Sequence, residues 1–135
     1  TLRIVYFGSD FNQEIKPDTL PDGLHALWFG DGFNQEFKPN IIPKNLHILK
    51  FGYYYNKEIK PDTLPDNLHT LRLGYEFKQK IKCNVLPESL RVLECTRNVR
   101  DNLLDKDGMP QQLTIRAMDS DSDTDSDEDS DFYYY

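Results

Sequence analysis

The chain has 135 residues, is poor in cysteine and contains no long apolar run. Its two cysteines, Cys83 and Cys95, are too few for a disulfide framework or a cysteine-rich zinc site. Apolar runs of a few residues cannot span a bilayer, which requires about 20 residues. Residues 1–6 also lack the basic-then-apolar form of a signal peptide. We therefore expect an intracellular protein, in the cytoplasm or a host cytoplasm, without a membrane partner.

Sequence motifs of catalysis are missing as well. There is no phosphate-binding glycine-rich loop, no nucleophile elbow and no His-Glu-x-x-His segment. His25, His47 and His69 recur at a fixed interval, and imidazoles stacked about 5 Å apart raise the hypothesis of a metal ladder. The alternative is a solvated strand-edge residue copied with a repeat, and a straight row lacks the converging geometry of a tetrahedral ion. We predict no enzyme, no metal site and no cofactor.

Acidic residues are concentrated at one end of the chain. Residues 119–131 hold seven Asp and one Glu without a single base. Residues 1–118 carry 16 bases and 15 acids, so the net charge of −7 divides into +1 on the body and −8 on the tail. Such a segment has no apolar surface to bury and repels itself, so we predict a disordered acidic tail over residues 119–135.

The tail also contains hydroxyl residues that are each followed by Asp three positions later. This spacing resembles the acidic recognition pattern of casein kinase 2, and each phosphate would add about −1.5 to −2 charge. The phosphorylation candidates are Ser120, Ser122, Thr124 and Ser126.

The body is built from a gapless repeat of 22 residues. The leading leucines are Leu2, Leu24, Leu46, Leu68 and Leu90. The apolar column three residues later is Val5, Leu27, Leu49, Leu71 and Leu93, and the aromatic column is Phe11, Phe33, Tyr55 and Phe77. A degenerate sixth unit follows, shifted by one residue, with Pro110 and Leu113 at the matching places.

A unit of this size that opens Leu-x-x-Leu-x-Phe resembles a leucine-rich repeat. Alternation in a short strand directs Leu27 and Phe29 inward, whereas Trp28 points outward. Pro39 disfavours helix on the return path, and one coil cannot bury its own apolar edge, so neighbouring coils must stack. We predict a mostly β repeat solenoid of leucine-rich-repeat-like, right-handed, 22-residue coils with a parallel sheet on one face and little helix.

The repeat and the charge together predict three segments. Residues 1–95 form five repeats, residues 96–118 form a degenerate C-terminal capping repeat, and residues 119–135 form the tail. Because residue 1 enters directly at a repeat strand, we expect a preceding segment or a partner to cover the first coil.

The segment after each strand resembles a known family. Residues 11–17 read Phe-Asn-Gln-Glu-Ile-Lys-Pro, residues 33–39 read Phe-Asn-Gln-Glu-Phe-Lys-Pro, and residues 55–61 are a close variant. These segments resemble the FNIP repeat, which is leucine-rich-repeat-like and abundant in social amoebae and giant viruses. Residues 77–83 depart from it by losing the Asn and the Pro. The resemblance implies a binding scaffold with no assigned chemistry; an F-box-like region often accompanies such repeats.

Outward strand positions form two columns. The first contains Tyr6, Trp28, Lys50, Arg72 and Glu94, and the second contains Ile4, Ala26, Ile48, Thr70 and Val92. Aromatic residues and Arg dominate binding hot spots, and the second column would add an exposed apolar patch. We predict that Tyr6, Trp28, Lys50 and Arg72 bind a partner; the alternative interpretation is ordinary strand propensity.

A column of amides, Asn12, Asn34 and Asn56, also recurs. Ligand binding is one interpretation of it. We predict instead a buried ladder in which each amide pairs with the backbone of an adjacent coil, because buried turns leave polar groups that need partners.

The sequence as a whole predicts a non-enzymatic scaffold that binds an unidentified protein partner through its outward strand face. Alternative hypotheses are substrate recognition in a ubiquitin-ligase adaptor and a structural or virion-associated role. The acidic tail could bind basic proteins, mimic nucleic acid or shield a basic surface elsewhere on the protein. Nucleic-acid binding by the body is disfavoured by its charge of +1, although Lys78, Lys80 and Lys82 form a small basic strip.

Overall fold

The computed structural model describes residues 3–82 and 84–118. Their strands are β1 (Ile4–Tyr6), β2 (Ala26–Trp28), β3 (Ile48–Lys50), β4 (Thr70–Arg72), β5 (Val92–Cys95) and β6 (Thr114–Ala117). They form one parallel sheet in the order β1-β2-β3-β4-β5-β6. Because the chain returns to the same sheet once every 22 residues, the predicted solenoid and its parallel face are confirmed.

The strand register follows the sequence period without a slip. Val5 pairs with Leu27, Leu27 with Leu49, Leu49 with Leu71, Leu71 with Leu93 and Leu93 with Ile115. A register error of one residue would turn this apolar column to solvent. Leu27, Leu49, Leu71 and Leu93 are fully buried, so hydrophobic burial determines the register.

The interior of the coils is a stack of aromatic rings. Within one coil the ring centroids of Phe51 and Tyr55 lie 3.8 Å apart. Between coils, Phe33 and Tyr55 lie 5.9 Å apart and Tyr55 and Phe77 lie 6.3 Å apart, with their planes within 7°. Burial raises the pKa of Tyr55, and the nearby Glu36 carboxylate raises it further. The aromatic column therefore packs one coil on the next, as the repeat predicts.

Tight turns replace helix on the return path. In the segment Lys60-Pro61-Asp62-Thr63 the Thr63 N–H donates to the Lys60 carbonyl at 3.3 Å, and Asp62 has a φ of 66°. Pro at the second position and a left-handed residue at the third are the features of a type II turn. The equivalent residues Asp18 and Asn40 have φ values of 64° and 69°. Since Asp and Asn tolerate this conformation better than most residues, the repeat keeps them there.

The described part of the chain contains little helix. It is confined there to residues 97–103, of which Val99–Leu103 form a π-helical turn between β5 and β6. Leu104, the residue after this turn, forms an isolated parallel bridge with Ile81. The Ile81 N–H donates to the Leu103 carbonyl at 2.8 Å, and the Asp105 N–H donates to the Ile81 carbonyl at 2.9 Å. The bridge ties the segment 96–118 to the coil before it, outside the six-stranded sheet.

The sixth coil keeps the repeat turn one residue late and then recovers the strand register. The Leu113 N–H donates to the Pro110 carbonyl at 3.3 Å, as the Leu90 N–H donates to the Pro87 carbonyl at 3.0 Å. The strand that follows nevertheless pairs Thr114 with Val92, a separation of 22 residues. The shift seen in the sequence is therefore absorbed between the turn and the strand.

Candidate functional site

One outward row of side chains crosses all six strands. The parallel register aligns Tyr6, Trp28, Lys50, Arg72, Glu94 and Arg116 in order. We call these six residues the outward row. The four residues predicted to bind a partner are its first four members, so the structure brings them together on one face. Arg116 escaped the sequence reasoning because its unit appeared shifted by one residue.

The first half of the outward row is aromatic and ends in a cation. The rings of Tyr6 and Trp28 lie 5.2 Å apart at 46°, and Lys50 Nζ lies 4.6 Å from the centre of the Trp28 ring. A cation at this distance over an indole face is a favourable cation–π contact. Burial lowers the pKa of Lys50; the Glu94 carboxylate opposes that shift, and the positive charges of Arg72 and Arg116 add to it.

The second half of the outward row is an ionic bridge. Glu94 is only 8% exposed, and its carboxylate lies between two arginines: Arg72 Nε is 3.0 Å from Oε1, and Arg116 Nη1 is 3.3 Å from Oε2. The side chains of Arg72 and Arg116 remain 45% and 66% exposed. The carboxylate thus holds two partly exposed guanidinium groups, each of which has more N–H donors than this contact uses.

A groove of about 510 Å³ opens beside this ionic bridge. Its walls include Arg72, Glu94, Arg116, Tyr53 and Tyr75. The two tyrosine rings are exposed and lie 5.4 Å apart. Tyrosine supplies a large contact area with a polar tip, so the groove combines apolar surface with hydrogen-bond donors and charge.

Met118, the residue after β6, is part of the groove wall. The Tyr75 hydroxyl donates to the Met118 carbonyl at 3.0 Å, and the Met118 N–H donates to the Cys95 carbonyl at 2.9 Å. Elsewhere on the groove wall, the Asp31 carboxylate accepts the Tyr53 N–H at 3.0 Å. The Tyr75 hydroxyl on the groove wall and the Cys95 carbonyl of β5 together hold the backbone at Met118.

The groove tyrosines were missed by the sequence reasoning. Tyr53 and Tyr75 follow the strand glycines, in a column whose other members are Ser9 and Asp31. Only two members of the column are aromatic, and they lie after the strand, where alternation does not predict which side chains point outward. The run Tyr53-Tyr54-Tyr55 was the available signal, because a coil can bury only some of three successive aromatic residues.

The second outward column is less exposed than predicted. Ile4 is exposed, but Ala26 is only 3% exposed, and Ile48, Thr70 and Val92 are half-buried. The prediction of a broad exposed apolar patch is wrong. Ala26 pairs with Ile4 on one side and Ile48 on the other, and these larger side chains cover its methyl group.

The histidines form the predicted row. The rings of His25 and His47 stack 4.5 Å apart, and those of His47 and His69 meet edge-on at 5.9 Å. Burial lowers the pKa of His25, followed by repulsion from His47, Arg3 and His69. Across residues 3–82 and 84–118, no group of three or more His, Cys, Asp or Glu side chains is arranged to hold a metal ion.

The asparagines form a ladder between coils. The Oδ1 atoms of Asn12, Asn34 and Asn56 accept the N–H groups of Asn34 at 2.9 Å, Asn56 at 2.9 Å and Lys78 at 2.8 Å. The predicted pairing of amides with the backbone of the next coil is confirmed. The predicted burial is wrong, since Asn12 is exposed and Asn34 and Asn56 are half-buried.

The tail falls outside the described residues. Its predicted phosphorylation candidates, Ser120, Ser122, Thr124 and Ser126, lie beyond residue 118, as does the segment 119–135 predicted to be disordered. Cys83 is also outside the described residues, whereas Cys95 is fully buried in the inward column, as expected of a small core residue.

Stacked 22-residue coils sharing one parallel sheet define a leucine-rich-repeat-like solenoid. The FNIP repeat family matches residues 1–32, 11–54, 33–75 and 55–94, so the chain belongs to this family, as the motif predicted. The comparison with curated proteins found no match.

A similar solved structure is the crystal structure of CroV588, a giant-virus protein described as a novel circular LRR protein. The two chains share 29% identity with a TM-score of 0.66. The similarity covers 84% of this chain but only 23% of that protein's length. Over the described residues, no helix is long and apolar enough to cross a membrane.

Proposed function

We propose that the protein is a non-enzymatic scaffold that binds a protein partner through the outward row and the adjoining groove. The observation that carries this proposal is the row of Trp28, Lys50 and Arg72 on adjacent strands, followed after Glu94 by Arg116, beside two exposed tyrosines. Trp, Tyr and Arg are the residues in which interface energy concentrates.

The contacts within the outward row support recognition because they hold its side chains in place. Lys50 is held over the Trp28 ring, and Glu94 holds both Arg72 and Arg116. Side chains ordered before binding lose less entropy when a partner arrives. The family is a repeat family of the kind that serves as a scaffold, and stacked repeats provide extended binding surfaces.

The segments have separate tasks in this proposal. Residues 1–95 supply most of the outward row, and residues 96–118 cover the fifth coil. Val99 is fully buried, Leu104 is 7% exposed, and β6 occupies the edge of β5. The final segment supplies Arg116 as well, so it contributes to the face in addition to closing the fifth coil.

The partner-binding role is tested by quantitative affinity purification with matched variants. Trp28→Ala and Arg72→Ala each remove a member of the outward row, and Lys16→Ala removes an exposed cation on the return path. We expect partner recovery to fall at least about tenfold in the first two, the effect of about 1.4 kcal/mol, and to stay unchanged in the third. Unchanged recovery in Trp28→Ala and Arg72→Ala, with wild-type melting curves, would rule out this face.

The two alternative roles depend on the same surface. A ubiquitin-ligase adaptor would use the outward row to hold a substrate, and a virion-associated protein would use it to hold a neighbour. Identification of the recovered partner by mass spectrometry distinguishes a ligase component or substrate from a particle protein.

A further inference from the structure

The groove beside the ionic bridge is the place where the chain leaves β6. Met118 is part of the groove wall, and its carbonyl accepts the Tyr75 hydroxyl at 3.0 Å. The described part of the chain therefore ends at the groove wall. The 13 residues that follow, 119–131, contain eight acids and no base.

The groove presents guanidinium groups to whatever follows Met118. Both oxygens of the buried Glu94 carboxylate are engaged, by Arg72 and by Arg116, and its single negative charge offsets only one of the two guanidinium charges. The Asp31 carboxylate also lines the groove, where it accepts the Tyr53 N–H and adds one negative charge. Each arginine retains N–H donors for a further carboxylate, and a guanidinium suits carboxylate and phosphate geometry.

Lys50 adds a third cation on the same row. Its amino group lies over Trp28, and the charges of Arg72 and Arg116 contribute to lowering its pKa. Three cations on neighbouring strands therefore repel one another, with one buried carboxylate between the last two. An acidic segment laid across the strands would relieve that repulsion.

The distances are short enough for the chain's own tail. From β6 to β4 is two strand spacings, or about 10 Å, and from β6 to β3 is about 14 Å. An extended chain advances about 3.3 Å per residue, so about five residues reach from Met118 to Lys50. Asp119, Asp121 and Asp123 fall within that reach.

We infer that residues 119–131 bind in cis to the groove formed by Tyr53, Tyr75, Arg72 and Arg116, with Lys50 beyond it, and compete there with an acidic segment of the partner. The competition depends on the proposed function, whereas the cis contact does not. Such a contact is electrostatic and requires no secondary structure in the tail. Phosphate on Ser120 or Ser122 would strengthen it, because it adds charge beside the arginines.

Nuclear magnetic resonance on the full-length chain tests the cis contact without any partner. The amide signals of residues 119–131 are recorded at about 0.02 M and about 0.5 M salt, because exposed charges are screened at the higher value. The variant is Arg72→Gln with Arg116→Gln. The matched control, Lys16→Gln with Lys106→Gln, removes the same charge away from the groove.

In the wild type and in the control, we expect the chemical shifts of the tail amides to differ between low and high salt. In the arginine variant, we expect this salt-dependent difference to disappear. Equal differences in the two variants would overturn the inference. A difference that disappears on dilution would also overturn it, because binding would then join two copies of the chain.

A second variant leaves the body intact in case the arginine variant fails to fold. Asp119→Asn, Asp121→Asn and Asp123→Asn neutralise the start of the tail. We expect the Nε–H signals of Arg72 and Arg116 to shift from their wild-type positions at low salt. Unchanged arginine signals would refute the contact, while failure of the partner purification alone would leave it standing and refute only the proposed function.

Discussion

Gly52→Ala tests the stacking of the coils most sharply, because the chain contains its own control. A Cβ atom on Gly52 would lie 2.5 Å from the Gly30 carbonyl carbon and 2.7 Å from Asp31 Cα, and closer still to the Gly30 carbonyl oxygen. These atoms belong to the backbone of the preceding coil. On Gly8 the same Cβ would meet no atom of the described residues within 4 Å.

The expected cost follows from what must move. Ordinary carbon contacts are about 3.5–4.0 Å, so the coils at Gly52 would have to separate by about 1 Å. That separation strains the adjacent strand hydrogen bonds, such as Phe29 N–H to the Lys50 carbonyl at 2.9 Å. Overpacking costs about 1–3 kcal/mol, and a backbone clash belongs at the upper end, so we expect a loss of about 3 kcal/mol. For Gly8→Ala we expect a change within about 0.5 kcal/mol.

Urea unfolding followed by circular dichroism and by the fluorescence of Trp28, the single tryptophan, measures both variants. Coincident transitions by the two probes allow the free energies of unfolding to be compared. Equal destabilisation by Gly52→Ala and Gly8→Ala would refute the argument, because only one of them meets a neighbouring coil.

Three further changes test the turns, the ladder and the histidine row. Asn34→Ala removes the acceptor of the Asn56 N–H and should lower the free energy of urea unfolding by about 1 kcal/mol. Asn34→Asp keeps an oxygen at that place and should lower it by less. Equal losses in the two variants would contradict the ladder. Asp62→Ala places a residue that tolerates this conformation less well at a φ of 66° and should lower the free energy of unfolding by about 1 kcal/mol. Asp62→Gly should change it by no more than about 0.5 kcal/mol. A larger loss for Gly than for Ala would argue against backbone strain as the cause. Because the pKa of His25 in the folded state lies below its ordinary value of 6.5, the folded state binds fewer protons there. Stability therefore falls as the pH drops from 6.5 through the lower folded pKa. A pH titration followed by nuclear magnetic resonance should show a lowered pKa for His25 in the wild type and a higher pKa for His25 in Arg3→Gln. An unchanged pKa in that variant would exclude Arg3 as a cause of the lowering.

The sequence period accounts for most of the fold. Leucines spaced by 22 residues are enough to predict which residues pair across the sheet, because one register alone buries the whole column. The closing coil was harder to predict, since Pro110 and Leu113 lie one residue late while Ile115 returns to the period. The position of the turn and the register of the following strand are separate features of a coil. In the closing coil, the strand register is determined by stacking against β5.

The site was only partly predictable for a related reason. Repetition identified Tyr6, Trp28, Lys50 and Arg72, since each occupies the same position in its coil. Tyr53 and Tyr75 were not identified, because they follow the strands, where alternation does not predict which side chains point outward. Binding surfaces of repeat proteins vary where the fold does not constrain them, so periodicity alone under-weights them.

The outward row and its groove are the centre of the proposed function, and partner recovery from wild type against Arg72→Ala and Lys16→Ala tests them most directly. Arg72 has a 45% exposed side chain, so its loss should reduce partner recovery without unfolding the coils. We predict at least about a tenfold loss in Arg72→Ala and wild-type recovery in Lys16→Ala. Equal recovery from all three folded proteins would contradict a binding role for this face.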